Sequence, residues 1–230
     1  GESFRAETDI DLTAVARAFY TAFGDEYQQL IVYTNRGYIP RSQGAFAYET
    51  TVRNSILGLG SGRADSGAAY GSPATLESVV LMDSIEKYSS SPASAILREE
   101  TTLSVLAHEV GHRWLATAKF MDNGSISSET LGRQQAHWSF FMNSSGSHDE
   151  GNAIADLGGG VFRTGPASQR YGPLDQYLMG LRAPEEVPPF FIIRNPQVDG
   201  VQSAERAPQS NVDIRGTRKD VTIQDVISAN

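Results

Sequence analysis

His108-Glu109-Val110-Gly111-His112 is the stretch from which the rest of the chain is read. Two histidines four residues apart stand one above the other on an α-helix, so their ring nitrogens can converge on a single metal ion. Glu109 lies on the same turn, where its carboxylate can take the proton of a water as that water attacks a carbonyl. The HExxH pattern thus offers two ligands and a base. The bland alternative is an amphipathic helix carrying two exposed histidines.

The flanks favour helix. No proline interrupts Arg98 to Lys119, Glu99 and Glu100 suit the positive end of a helix dipole, and Ser91-Pro92-Ala93-Ser94 offers capping residues upstream. A long helix over 98–119 is therefore predicted, with Leu103, Leu106, Val110 and Trp114 as its packed stripe and the histidines on another side. Gly111 costs about 1 kcal/mol relative to alanine inside a helix. It either admits a neighbouring backbone or is simply tolerated. Met121-Asp122-Asn123-Gly124 is expected to end the helix in a turn.

Composition sets bounds. With 230 residues and 40% hydrophobic content the chain is globular and long enough for a sizeable core. A net charge of −8 without any lysine-arginine cluster argues against a nucleic-acid partner. Cysteine is absent, so a metal must be held by nitrogen and oxygen, and no disulfide framework exists. No apolar run reaches the roughly 18 residues of a membrane span. The chain opens polar, at Gly1-Glu2-Ser3, and reads as a mature or excised piece of something longer. A monomer is expected.

Taken in order, residues 1–9 read as a lead-in, and Leu12, Val15, Ala16, Phe19 and Phe23 recur at helical spacing between Asp11 and Gly24. Leu30–Thr34 reads as a buried strand, 45–52 and 55–59 as strand-like runs, 60–74 as a surface loop and Leu76–Met82 as a third strand. Beyond the helix, regular structure is expected to thin: polar residues over 125–135 with room for a short helix, an aromatic run from His137, and glycines at 158–160. A proline-rich bend over 183–190, a strand at Phe190–Ile193 and a strand passing into a short helix at 221–228 follow. No internal repeat or clean linker divides the chain.

A catalytic zinc needs a third protein ligand and an open position. His137 heads an aromatic segment and is the first candidate, with a structural, hydrogen-bonded histidine as its alternative; His148 lies in a hydrophilic loop. Glu129, 17 positions past His112, and Asp175, in Gly172-Pro173-Leu174-Asp175-Gln176-Tyr177, are the oxygen alternatives. Tyr177 is a candidate donor to the oxyanion of a tetrahedral intermediate, against an ordinary core tyrosine. Ser147-His148-Asp149-Glu150-Gly151-Asn152 has oxygens suited to a structural Ca2+, but lacks the alternation of a calcium loop and reads more readily as a solvated turn.

The order helix, strands, then a long helix bearing HExxH resembles the amino-terminal half of the zincin metallopeptidases. The resemblance implies an α+β, zincin-like fold, with a twisted mixed sheet packed on the active-site helix and an edge strand that accepts the substrate as an added strand. The chain is accordingly expected to be one catalytic domain, with a sheet and active-site helix over 1–122 and a loop-rich C-terminal subdomain over 123–230. Three departures leave the subclass open: Leu115 and Ala118 stand where a metzincin has glycine and histidine, Ser127-Ser128-Glu129-Thr130 lacks the glutamate-zincin pattern, and the aspartate pattern at Asp175 is shortened. HEVGHRW, HWSFF, PLDQYLMGL and EEVPPFF, spanning 108–191, resemble a sparsely described family of secreted bacterial zinc peptidases. That likeness implies extracellular location and His137 as a ligand, and it supplies no substrate; HExxH with a third ligand leads to the first expectation, a zinc metalloendopeptidase acting on a protein or peptide substrate. The rival expectation is a binding or adhesion module on the same scaffold with a structural metal.

Overall fold

A computed structural model of the chain describes residues 10–39, 44–166, 170–198, 200 and 202–230. The segment 1–9, read above as a lead-in, lies outside them. The molecule is mixed α+β and divides into two compact units. One comprises Gly1–Ile56 with Gly62–Arg113; the other comprises Leu57–Ser61 with Trp114–Asn230. Among the described residues no helix is long and apolar enough to cross a membrane.

The first unit opens with helix α1, Leu12–Phe23. Asp11 caps it by accepting the Ala14 N–H at 3.1 Å, and Gly24, at φ 81°, ends it in a conformation that favours glycine. Strands β1 (Gln29–Thr34), β2 (Tyr48–Thr51), β3 (Arg53–Asn54), β4 (Ala64–Asp65), β5 (Ser78–Ser84), β6 (Ala95–Leu97) and β7 (Glu100–Thr101) follow, then helix α2, Thr102–Gly111. The central sheet is mixed, in the order β1-β5-β2, with β1 parallel and β2 antiparallel to β5. Every residue of β5 is buried, as a central strand of Val79-Val80-Leu81-Met82 must be when both faces are covered. Leu12, Ala16 and Tyr20 of α1 pack on Val79 and Leu81. Val105 of α2 packs on Val80 and Met82, with Leu106 and Val110 at its flank.

Several expectations change here. The helix bearing HExxH spans ten residues, not twenty-two. Its cap is Thr101, not the serines upstream, and Glu100 stands in β7, before the helix begins. The packed face is centred on Val105; Leu103 is exposed, and Trp114 lies beyond the helix among residues of the second unit. Residues 55–59 form no strand, while the loop over 60–74 carries β4 and a 3-10 turn at Gly67–Tyr70.

The second unit overturns the expectation of a loop-rich half. Strands β8 (Phe120–Asp122), β9 (Ser125–Ser127), β10 (Trp138–Asn143), β11 (Glu150–Asn152), β12 (Ile154–Gly158) and β13 (Val161–Thr164) precede helix α3, Pro173–Leu178. Strands β14 (Phe190–Val198) and β15 (Asp213–Val221) and helix α4 (Ile223–Ala229) complete it. Six of these strands form one sheet in the order β11-β10-β14-β15-β13-β12. Phe140, Phe162, Phe191 and Ile214 fill one core beside it, and Trp138, Met142, Ile192 and Val221 belong to another with Leu115, Phe120 and Leu178. Met121–Gly124 closes a hairpin and no helix: Asn123 (φ 49°) and Gly124 (φ 86°) are both left-handed, as a two-residue hairpin turn between β8 and β9 requires. Gly158, Gly159 and Gly160, all at positive φ, turn β12 into β13. The polar 125–135 segment gives β9 and a 3-10 turn at Arg133–Gln135.

Candidate metal centre

The site is built on α2. Thr101 and Ser104 cap the helix reciprocally: the Thr101 hydroxyl accepts the Ser104 N–H at 3.2 Å, and the Ser104 hydroxyl accepts the Thr101 N–H at 2.8 Å. Starting the helix there places His108 on its last full turn. His112 closes it, donating its N–H to the His108 carbonyl at 3.3 Å. The two rings meet edge to face, with centroids 4.7 Å apart and Nε2 atoms at 3.2 Å. Two nitrogens each about 2.0–2.1 Å from a tetrahedral ion stand about 3.3 Å apart, so this pair has the bite zinc takes. Gly111 is buried as the last helical residue.

Glu109, between the histidines, is also buried. Burial pushes the phenol of Tyr88 up, and the neighbouring Tyr33, Glu109 and Asp83 push it further. The Tyr88 hydroxyl therefore stays protonated and donates to the Met82 carbonyl at 2.6 Å, while its ring meets Tyr33 and Phe46 edge-on at 5.3 and 5.5 Å. Directly after His112, the side chain of Arg113 is fully buried. Its Nε donates to Glu77 at 3.0 Å and its Nη1 to Asn54 Oδ1 at 3.5 Å. Desolvation lifts the carboxyl of Glu49, on β2, to about 7, although Thr51, Arg113 and Ser78 oppose the shift.

In the second unit His137 is buried at the start of β10. Its Nδ1 lies 2.9 Å from the Arg133 carbonyl and its Nε2 lies 2.8 Å from Arg133 Nη2. A guanidinium only donates, so Nε2 accepts and Nδ1 carries the proton. That tautomer presents Nε2 as the ligating atom. Arg133 Nη2 also donates to Glu150 Oε1 at 2.7 Å.

The other predicted residues have definite places. Asp175 is wholly buried, accepting the Trp138 indole N–H and the Gly172 N–H, both at 2.8 Å. Desolvation raises its pKa to about 6 against the pull of Ser147, Trp138 and Gly172. Glu129 is exposed and holds the guanidinium of Arg194, which also bonds Asp122 at 2.5 Å. Tyr177 packs, partly buried, against the core that contains Trp138 and Leu178. His148 meets the ring of Tyr171 at 5.0 Å. The loop Ser147–Asn152 is no solvated turn: Ser147, Asp149, Glu150 and Asn152 are all buried.

Reading the sequence alone singled out neither Arg113 nor Arg133. An arginine beside a motif histidine carries no spacing signature, and the turn that folds Arg133 back on His137 rests on two left-handed glutamines, Gln134 (φ 57°) and Gln135 (φ 54°), residues without a turn preference. Compared with family models, curated proteins and solved structures, the chain matches none.

Proposed function

We propose that the protein is a zinc-dependent metalloendopeptidase of zincin-like architecture, with His108, His112 and His137 as the three ligands and Glu109 as general base. The 3.2 Å bite of the paired imidazoles, with Glu109 between them in sequence, is the observation that carries this reading. A zinc ion held by these three histidines would supply Lewis-acid polarisation of a carbonyl and would lower the pKa of a bound water from 15.7 to about 7. Glu109 would be the group that accepts a proton from the attacking water and passes it to the departing amide nitrogen. Its burial, with the two motif histidines on either side of it in sequence, supports this role. An exposed edge of the mixed sheet would hold the peptide backbone by strand addition, with Tyr177 as the proposed donor to the oxyanion. Extracellular action on protein or peptide substrates completes the proposal.

Glu109→Gln preserves shape and removes the base. Metal analysis of the purified variant should return the wild-type zinc content, while digestion of a peptide library falls by about a hundredfold or more. Undiminished cleavage would refute the assignment. In the same assays His137→Ala should lose zinc, and Tyr177→Phe should keep zinc and cleave more slowly.

A further inference from the structure

One residue occupies both ring nitrogens of His137. The Arg133 carbonyl takes the Nδ1 proton at 2.9 Å, and the Arg133 guanidinium donates to Nε2 at 2.8 Å. The turn that makes this possible is strained: Gln134 and Gln135 both adopt left-handed conformations, and so does Glu150, whose Oε1 holds the same Nη2 at 2.7 Å. Left-handed backbone is unfavourable at a non-glycine residue and persists where the surroundings impose it. Two of these residues form the turn between Arg133 and His137, and the third holds the Arg133 guanidinium. The two halves of Arg133 act in opposite senses. Its backbone prepares Nε2 as a ligand by fixing the tautomer, as the partner of a metal-binding histidine does. Its side chain takes the lone pair that a cation would need, and sets a permanent positive charge beside it.

We infer that Arg133 is a gating residue for the metal: its guanidinium competes with zinc for Nε2 of His137, and loading requires it to withdraw onto Glu150. This rests on His137 being a ligand, as proposed above. The Arg133–Glu150 pair fits such a role, because Glu150 is buried and can retain the guanidinium while the arginine side chain, 43% exposed, has room to swing.

The test is zinc affinity, measured by competition with a chromophoric chelator on the whole chain as wild type, Arg133→Ala and Arg133→Met. Both variants keep the backbone carbonyl; the methionine also keeps an apolar stem, so a packing defect in the alanine variant would not mimic the effect. Both should bind zinc roughly tenfold more tightly than wild type, the factor expected for losing one charge-assisted hydrogen bond to the competitor. In the chelator-treated protein, nitrogen-15 shifts of the His137 ring should report a protonated Nδ1 in all three forms, with Nε2 shifted only where the guanidinium is gone. Equal or weaker zinc affinity in both variants would overturn the gate while leaving the zinc site standing. Failure of all three proteins to bind zinc would overturn the peptidase reading and the gate with it.

Discussion

Arg113 illustrates how a single side chain can hold the end of the histidine helix. It has no solvent exposure, and its guanidinium is fixed by Glu77 at 3.0 Å and by Asn54. Removing one partner of a buried pair is costly because the other is left with its charge; here Glu77 keeps 23% exposure and can rehydrate in part. Arg113→Met should therefore lower stability by about 3 kcal/mol, and Arg113→Lys by less, as read from urea unfolding midpoints. A change under about 0.5 kcal/mol in both would mean that the ion pair anchors nothing. The contrast with His108 and His112 is physical. Their significance was legible because metal ligation imposes a spacing on the helix, whereas a buried ion pair joins positions 36 apart in sequence and leaves no local trace. The same holds for Asp175, whose role in receiving the Trp138 indole proton depends on two segments 37 residues apart.

At the scale of elements, strands with uniform apolar character were legible and mixed ones were not. Val79-Val80-Leu81-Met82 reads as a buried strand from composition alone, and α1 announces itself by its period, its aspartate and its closing glycine. Strand β15 hides because its residues are mostly charged or polar: Asp213, Arg215, Thr217, Arg218 and Asp220 face solvent, and only Ile214 and Val221 are buried. Cross-strand pairs such as Arg163 with Asp213 and Arg218 with Asp156 complete a ladder that no window of sequence contains. The helix of the histidines was overextended because absence of proline does not make a helix; Ala116, at φ 59°, already lies outside one. Leu57–Ser61 is a further surprise, a short insertion that belongs to the second unit. Gly60 explains its fixity: φ is 85°, and a Cβ there would stand 2.2 Å from the Thr117 carbonyl oxygen. Thr117 in turn donates its hydroxyl to the Leu59 carbonyl at 2.6 Å. Gly60→Ala combines a left-handed penalty with a clash against backbone, so a loss of about 2–4 kcal/mol is expected in thermal or chemical unfolding. A neutral substitution would contradict the packing of this segment.

For the whole molecule, the aspartates and the glutamate whose pKa is displaced by the fold are of two kinds, with opposite effects on stability. Asp25, held by Ser72, Thr75 and backbone N–H groups, lies at about 2, and Asp65, Asp122, Asp156 and Asp213 are lowered by arginine or lysine partners and by backbone N–H groups. A depressed pKa gives stability that is present above the ordinary value, near 3.8, and is lost as pH falls through the folded one. Asp175, raised from 3.8 to about 6, and Glu49, raised from 4.5 to about 7, act the other way. Both bind their protons more tightly in the folded chain, so their contribution is full below the unfolded values and is lost as pH rises through 6 and 7. At about 1.4 kcal/mol per pKa unit, each accounts for a decline of order 3 kcal/mol across that window. The melting temperature of the chelator-treated protein should accordingly be highest near pH 4–5 and fall toward pH 8. Asp175→Asn and Glu49→Gln cannot ionise there, and each should flatten the descending limb, even though Asp175→Asn also lowers stability throughout by spoiling an acceptor for Trp138 or Gly172. The slope between pH 4.5 and 7.5 separates the two effects, because a lost hydrogen bond displaces the curve and a lost titration changes its inclination. Wild-type stability that climbs steadily over that range, or a slope identical in all three proteins, would show that desolvation does not govern these two carboxyls.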